Sequence, residues 1–98
     1  MKATITKLKV DTGYSMVDAG FIVTGKLIRI VEMFEGRAYE PVNDLKEIQV
    51  GDMILVEGST PYDALKTSPV REVLLKNPNE MEFKTTTSTY KLEVINLQ

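Results

Sequence analysis

Two polar segments of the sequence carry side chains suited to recognition chemistry. Residues 57–68 supply a phenol, a carboxylate, an ammonium group and two hydroxyls, on Tyr62, Asp63, Lys66, Thr67 and Ser68. Residues 85–89 supply five consecutive hydroxyls, which can donate and accept hydrogen bonds without carrying charge. Because binding residues usually sit on loops of a rigid scaffold, we expect these two segments together to form a binding surface.

Parts of this surface also have a purely structural interpretation. Threonine favours strands and serine favours turns, so the hydroxyl run is also what a β-hairpin requires. Tyr90 lies near Lys84 and Lys91, and Arg37 lies close to Tyr39. Both are weak versions of the aromatic and basic pattern of single-stranded nucleic-acid binders. Tyr90 shares the strand phase of Leu92 and Val94, however, and this favours a position in the interior.

The sequence contains no histidine and no cysteine. It therefore lacks the commonest general base, the commonest metal ligand, a thiolate nucleophile and any disulfide. The aspartates lie mostly in turn-like segments, where their side chains bond the local backbone. Lys66 and Ser68 could form a serine–lysine pair, but a polar loop does not desolvate a lysine as that chemistry needs. We expect no catalytic residue, no metal site and no cofactor.

The charge balance bears on the class of partner. Twelve basic and fourteen acidic residues give a formal net charge of −2, whereas a general DNA binder carries a basic excess. No apolar run reaches the length of a membrane-spanning helix, and the first residues lack the apolar core of a signal peptide. We therefore expect a cytoplasmic protein without a membrane partner, for which nucleic acid is not the favoured ligand.

Hydrophobic alternation predicts strands along most of the chain. Residues 2–10 read as a strand with a bulge near Thr6 and Lys7, because the apolar phase changes there. Residues 21–34 form the longest predicted strand, which we expect to be bent or broken at Gly25.

Shorter strands follow, separated by turns. Residues 43–47 form a polar connection with at most one helical turn, and residues 58–68 form the one substantial loop. Strands are expected at residues 37–42, 53–57, 69–75, 81–85 and 89–95. This series predicts one all-β domain over residues 1–98, a small barrel or sandwich of six or seven antiparallel strands ending in a three-stranded meander.

Several strands are apolar on both faces. Leu27 and Val31 occupy one phase of the long strand, while Ile28 and Ile30 occupy the other. A small barrel has a single interior, so a second apolar row left uncovered would be an association site. We expect a homo-oligomer, most simply a dimer. The alternative is a two-layer fold that covers both faces within one chain.

The C-terminal third carries two recognisable segments. Residues 66–73 read Lys-Thr-Ser-Pro-Val-Arg-Glu-Val, and residues 83–92 read Phe-Lys-Thr-Thr-Thr-Ser-Thr-Tyr-Lys-Leu. This pattern resembles one in small phage and mobile-element β-domain proteins. The resemblance implies a small accessory protein that acts on a host system, and it transfers no catalytic residues.

The sequence thus favours a non-catalytic binding module that holds a protein or a small ligand. Its candidate binding residues are Tyr62, Asp63, Lys66, Thr67, Ser68, Arg71, Thr86, Ser88 and Tyr90. A small barrel that binds single-stranded nucleic acid and a self-assembling virion component are the alternatives. An enzyme that uses carboxylate or lysine chemistry is a more distant one.

Overall fold

The computed structural model describes residues 1–11, 18–60 and 62–95. Within these ranges the backbone forms eight β-strands and one 3₁₀ turn at Leu45–Glu47, and no α-helix. The strands are β1 (Lys2–Val10), β2 (Ile22–Met33), β3 (Gly36–Pro41), β4 (Met53–Glu57), β5 (Ala64–Lys66), β6 (Glu72–Lys76), β7 (Glu80–Lys84) and β8 (Ser88–Ile95). The all-β prediction is confirmed, with eight strands where six or seven were expected. No helix in the described ranges has the length and apolar character needed to cross a membrane.

The strands form one antiparallel sheet in the order β5-β4-β2-β1-β8-β7-β6, and β3 pairs with β2 alone. The strand ladder leaves β5 and β6 at its two ends. Residues 67–71, which connect β5 to β6, are hydrogen-bonded to β4 on one side and to β7 on the other. The Thr67 N–H donates to the Ile54 carbonyl at 2.8 Å, and the Arg71 N–H donates to the Lys84 carbonyl at 2.8 Å. The two end strands are therefore linked through their connection rather than through a ladder.

β2 is the longest strand and pairs with three others. One of its edges pairs with β4, and the other pairs first with β1 and then with β3. The change of partner occurs at Leu27, whose N–H donates to the Met1 carbonyl and whose carbonyl accepts from the Val42 N–H, both at 3.0 Å. The terminal ammonium of Met1 donates to the Val42 carbonyl at 2.9 Å. These bonds join β1, β2 and β3 at one junction.

β2 runs through Gly25 without the break considered for that position. A Cβ atom at Gly25 would overlap the carbonyl oxygen of Glu57. The glycine is required because the end of β4 approaches β2 too closely for any side chain.

The predicted bulge of β1 lies one residue further along. The register between β1 and β8 shifts between Lys7 and Lys9. Ala3, Ile5 and Lys7 keep one phase and are all buried. The Lys7 ammonium group therefore lies at the edge of the apolar core.

β5 is the strand that the sequence did not predict. Its three residues lie inside the segment expected to be a loop, and only Leu65 among them is buried. So short a strand shows no recognisable alternation. The C-terminal meander is confirmed as β6–β7–β8, although β6 begins at Glu72 because residues 67–71 form the connection.

One apolar core lies on the inner face of the sheet. The 3₁₀ turn adds Leu45 to it and is fixed by a capping box, in which Asp44 accepts from the Lys46 N–H and Glu47 accepts from the Asp44 N–H. The core contains Ala3, Ile5, Val23, Leu27, Val42, Leu45, Ile48, Ile54, Val56, Leu65, Val70, Met81, Phe83, Tyr90 and Leu92.

The second apolar face of β2 and β4 is buried within the chain. Ile28, Ile30 and Met53 are buried although they lie outside the main core. Around β2 and β4 the chain therefore covers both faces by itself. Large apolar side chains that remain exposed include Phe21, Ile22, Met33, Phe34, Leu74 and Leu75.

Replacing Gly25 with alanine should lower the free energy of unfolding by about 3 kcal/mol, because the added methyl group forces the Glu57 backbone to move. Lys26→Ala, at an exposed position next to it, should change stability by no more than about 0.5 kcal/mol. Urea unfolding of both variants measures the difference. Equal losses would contradict a close approach at Gly25.

Candidate functional site

The structure places the loop after β4 and the hydroxyl-rich hairpin at opposite ends of β1. Lys2 of β1 pairs with Lys26, which pairs with Glu57, so the loop after β4 lies at the Lys2 end of β1. At the other end of β1, Val10 pairs with Ser88 in the hydroxyl-rich hairpin. Nine strand residues span about 26 Å at about 3.3 Å per residue. Tyr62 and the hairpin therefore do not share one surface, whereas Ser68 lies close in sequence to Arg71, which contacts Thr86 of the hairpin.

The loop after β4 is short and closed. The Gly58 N–H donates to the Asp63 carbonyl at 2.6 Å, and the Asp63 N–H donates to the Thr60 carbonyl at 3.1 Å. A Cβ atom at Gly58 would overlap the Asp63 carboxylate, so this carboxylate packs directly on the glycine backbone. Tyr62 is 95 % exposed. Asp63 shapes the loop, and Tyr62 is its accessible candidate.

Thr67 has a structural role in the connection that follows β5. Its buried hydroxyl accepts from the Ile54 N–H at 3.1 Å and donates to the Ser68 carbonyl at 2.7 Å. Lys66 and Ser68 are exposed on either side of it. Thr67 therefore fixes the chain against β4 while its two neighbours stay accessible.

The hairpin between β7 and β8 is closed by its own polar groups. The Thr85 N–H donates to the Ser88 carbonyl at 2.9 Å, and the Ser88 N–H donates to the Thr85 hydroxyl at 3.3 Å. Ser88 is fully buried, whereas Thr86 is exposed and accepts from Arg71 Nη1 at 3.5 Å. Arg71 and Thr86 are the accessible candidates here.

Tyr90 occupies the interior position that its phase predicts. It is 5 % exposed, and its ring stacks on Phe83 with centroids 5.4 Å apart and 20° between the planes. Burial raises the pKa of Tyr90, and a hydrogen bond with Ser88 opposes that rise. A ring in this position offers no face on which a nucleic-acid base could stack.

Lys7 is a chemically distinctive residue that the sequence analysis did not select. It is 1 % exposed, and its Nζ lies 5.7 Å from the centroid of the Tyr90 ring, whose face attracts a cation. Burial lowers the pKa of Lys7, and the charge of Asp18 opposes that change. Its shared phase with Ala3 and Ile5 is the signal that could have identified it.

Arg29 of β2 makes four hydrogen bonds to three oxygen atoms, which lie on β3, on the 3₁₀ turn and on Asp52, the residue before β4. Its Nη2 lies 2.7 Å from Glu40 Oε2, while its Nη1 lies 3.2 Å from Asp52 Oδ2 and 2.7 Å from the Glu47 carbonyl. The hydrogen bond to Glu40 is the largest cause that raises the pKa of Arg29. Asp52 also accepts from the Gln49 N–H at 2.9 Å. This cluster holds β2, β3, β4 and the 3₁₀ turn together.

Asp11 joins the end of β1 to the hairpin between β7 and β8, and among the described residues its carboxylate does not bond the local backbone as expected of a turn aspartate. Its N–H donates to the Thr87 carbonyl at 2.7 Å, and its carboxylate accepts from the Thr89 hydroxyl at 2.6 Å and pairs with Lys9 at 3.3 Å. The Thr89 hydrogen bond is the largest cause that lowers the pKa of Asp11. Across the described residues, no group of three or more acidic side chains could hold a metal ion.

The hairpin formed by β2 and β3 extends beyond its neighbour. β4 pairs with β2 only as far as Ile30, and beyond that residue the described pairings of β2 are to β3 alone. We call residues 31–39 the arm. Its two strands pair as far as Met33 and Gly36, and Phe34 and Glu35 form the turn at its tip.

The arm presents apolar side chains to solvent. Phe34 is fully exposed, Met33 is 60 % exposed and Tyr39 is 59 % exposed. Across the hairpin, Arg37 Nε lies 3.1 Å from Glu32 Oε1. The arm is therefore an apolar projection with one internal ion pair.

No arm residue was selected as a binding candidate from the sequence. The signal was present, because residues 27–34 are apolar on both phases. That pattern was assigned to the faces of a sheet, since hydrophobic periodicity does not show where the neighbouring strand ends.

Comparison of the chain with protein-family models gave no match, and comparisons with curated proteins and with solved structures also gave none.

Lys7 should make stability depend on pH in the alkaline range. Because its pKa is lowered by folding, the unfolded chain binds more protons than the folded chain between that lowered pKa and 10.5. The free energy of unfolding of the native chain should therefore rise with pH in this window, relative to that of Lys7→Met.

Urea unfolding of both proteins from about pH 7 to about pH 10 measures this difference. Tyr90 is present in both proteins, so the comparison isolates the contribution of position 7 together with its coupling to the Tyr90 ring. A difference that stays constant over the window would contradict a lowered pKa at Lys7.

Proposed function

We propose that this chain is a non-catalytic protein-interaction module of the cytoplasm, and that the arm is its binding element. The observation that carries the proposal is the exposure of Met33, Phe34 and Tyr39 on a projecting hairpin. Aromatic residues and methionine are enriched at protein interfaces, where a few buried anchors supply most of the binding energy. Six cross-strand pairs between β2 and β3 hold these side chains in place, which limits the entropy lost on binding.

The other polar side chains support a non-catalytic role. Every buried side-chain nitrogen and oxygen of the described residues has a hydrogen-bond partner. The polar side chains of Arg29, Thr67 and Thr85 bond to carboxylates or main-chain atoms and so hold the fold together. Groups committed in this way are not poised to act on a substrate.

The chemistry of the arm favours a protein partner with an apolar surface. The arm contains Glu32, Glu35 and Arg37 as its charged residues, so it has no basic excess with which to bind phosphates. An apolar contact should persist at high salt, whereas a nucleic-acid complex should weaken steeply. Self-association of the chain is part of this proposal, as one form of apolar contact.

A photo-crosslinking amino acid, p-benzoylphenylalanine, placed at position 34 tests the proposal. We expect ultraviolet light to couple the arm to a protein in a nuclease-treated extract, at high salt. Once that partner is identified, Phe34→Ala should weaken its binding about thirty-fold, as loss of an anchor worth about 2 kcal/mol would.

The matched control carries the same crosslinker at position 62, because Tyr62 is the other highly exposed aromatic side chain among the described residues. Coupling at position 62 and not at position 34 would move the binding site to the loop after β4. Coupling of position 34 to nucleic acid, lost as salt is raised, would contradict a protein-binding role.

A further inference from the structure

β3 has one free edge. Among the described residues it pairs with β2 alone. The bond from the Val42 N–H to the Leu27 carbonyl continues the β2–β3 register and so fixes the phase of the ladder. Main-chain groups that face β2 belong to Glu40, Ala38 and Gly36. Main-chain groups that face outward belong to Arg37, Tyr39 and Pro41.

Pro41 agrees with this phase. A proline has no N–H, so it is tolerated in a sheet only where that group would point away from the neighbouring strand. The free edge therefore offers both donors and acceptors at Arg37 and Tyr39, and an acceptor alone at Pro41. An edge with unpaired donors and acceptors is a template for another strand.

A second copy of β3 complements this edge. In an antiparallel pair centred on Ala38, Arg37 of each copy stands opposite Tyr39 of the other, and each such pair exchanges two N–H···O=C bonds. All outward groups of Arg37 and Tyr39 are then used, and Pro41 lies outside the paired stretch. A register centred on Tyr39 would instead leave the Arg37 carbonyl facing Pro41, which has no donor.

The side chains suit the same register. Residues directly opposite share a face, so the Arg37 guanidinium would lie against the Tyr39 ring of the other copy, a favourable cation–π arrangement. Ala38 meets its own copy on the two-fold axis, where a small side chain lets the strands approach. The formal net charge of −2 imposes little repulsion between two copies.

The antiparallel direction also brings the tip of the arm into the interface. In this register Phe34 of each copy comes level with Val42 of the other. Two edge strands alone bury less than the roughly 1,200 Å² typical of a stable interface. The exposed Met33 and Phe34 can supply the apolar area that the strands lack.

We propose that the protein is a two-fold homodimer in which the β3 edges of two copies pair antiparallel about Ala38 and extend one sheet into the next. This inference rests on the proposed role of the arm and names its partner as a second copy of the chain. The dimer is an instance of strand addition, in which main-chain bonds give affinity and the register gives specificity.

Light scattering of the purified chain gives the first test. The mass should be twice the 11.0 kDa of one chain at micromolar concentration. A monomer under these conditions overturns the inference.

A single introduced cysteine tests the register, because the chain has no cysteine of its own. In Ala38→Cys the two sulfur-bearing residues face each other about 4.5 Å apart at Cα, within the range of a disulfide, and should couple under mild oxidation. In Tyr39→Cys the two cysteines stand diagonally at about 7–8 Å and should not couple. Coupling of Tyr39→Cys in preference to Ala38→Cys overturns the register.

A matched pair of substitutions tests the main-chain bonds. Tyr39→Pro and Tyr39→Thr both remove the ring, but only proline removes the outward N–H, which β2 does not use. The dissociation constant of the dimer should be at least about tenfold higher for the proline variant than for the threonine variant, since each copy loses one intermolecular bond. Equal dissociation, with both variants folded by circular dichroism, overturns edge pairing.

The outcomes for the two proposals differ. A monomer whose position 34 still couples to another protein contradicts the dimer and leaves the arm as the binding element. A dimer that forms equally well with the arm variants contradicts the paired β3 edges, because the interface would then lie elsewhere. The absence of any protein coupled at position 34 contradicts the proposed role of the arm.

Discussion

β2 divides its main-chain hydrogen bonds among three strands, and this division governs the rest of the structure. At Leu27 one edge of β2 passes from β1 to β3, and the Met1 ammonium ties the two together through the Val42 carbonyl. On its other edge β2 approaches the end of β4 so closely that Gly25 admits no side chain. The phase set at Leu27 also decides which groups of β3 face inward and which face solvent.

The polar side chains that look most reactive in the sequence are largely committed to holding this arrangement. Arg29 bonds to Glu40, Asp52 and the Glu47 carbonyl, and Thr67 holds the connection after β5 to β4. The arm differs from these bonded groups, since its apolar side chains are exposed although its backbone is paired across the hairpin. Exposure of large apolar residues on a rigid projection is the feature that a structural role within one chain does not explain.

Fold class followed from the sequence because alternation of apolar residues is a local property. Most strand positions could be predicted in this way, and so could the turn at Asp44–Glu47 and the interior position of Tyr90. β5 could not, since three residues show no period. The 3₁₀ turn and the bulge in β1 needed only local turn chemistry and a change of phase.

The candidate site was harder to predict, because it depends on which strands are neighbours. Sequence order suggested that residues 57–68 and 85–89 act together, but the loop after β4 lies at one end of β1 and the hairpin at the other. The exposure of Met33 and Phe34 depends on β4 ending opposite Ile30, and nothing in the composition of either strand shows that. Which main-chain groups of β3 face outward likewise depends on its register with β2, and that register is known only from the paired structure.

Amide hydrogen exchange along β3, followed by NMR as the protein concentration is raised, tests the central claim most directly. The amides of Arg37 and Tyr39 face outward, whereas that of Glu40 is bonded to β2. The account predicts that exchange at Arg37 and Tyr39 slows as two copies associate, while exchange at Glu40 is slow throughout. Fast exchange at Arg37 and Tyr39 at every concentration would show that the outer edge of β3 stays unpaired, and would contradict the account.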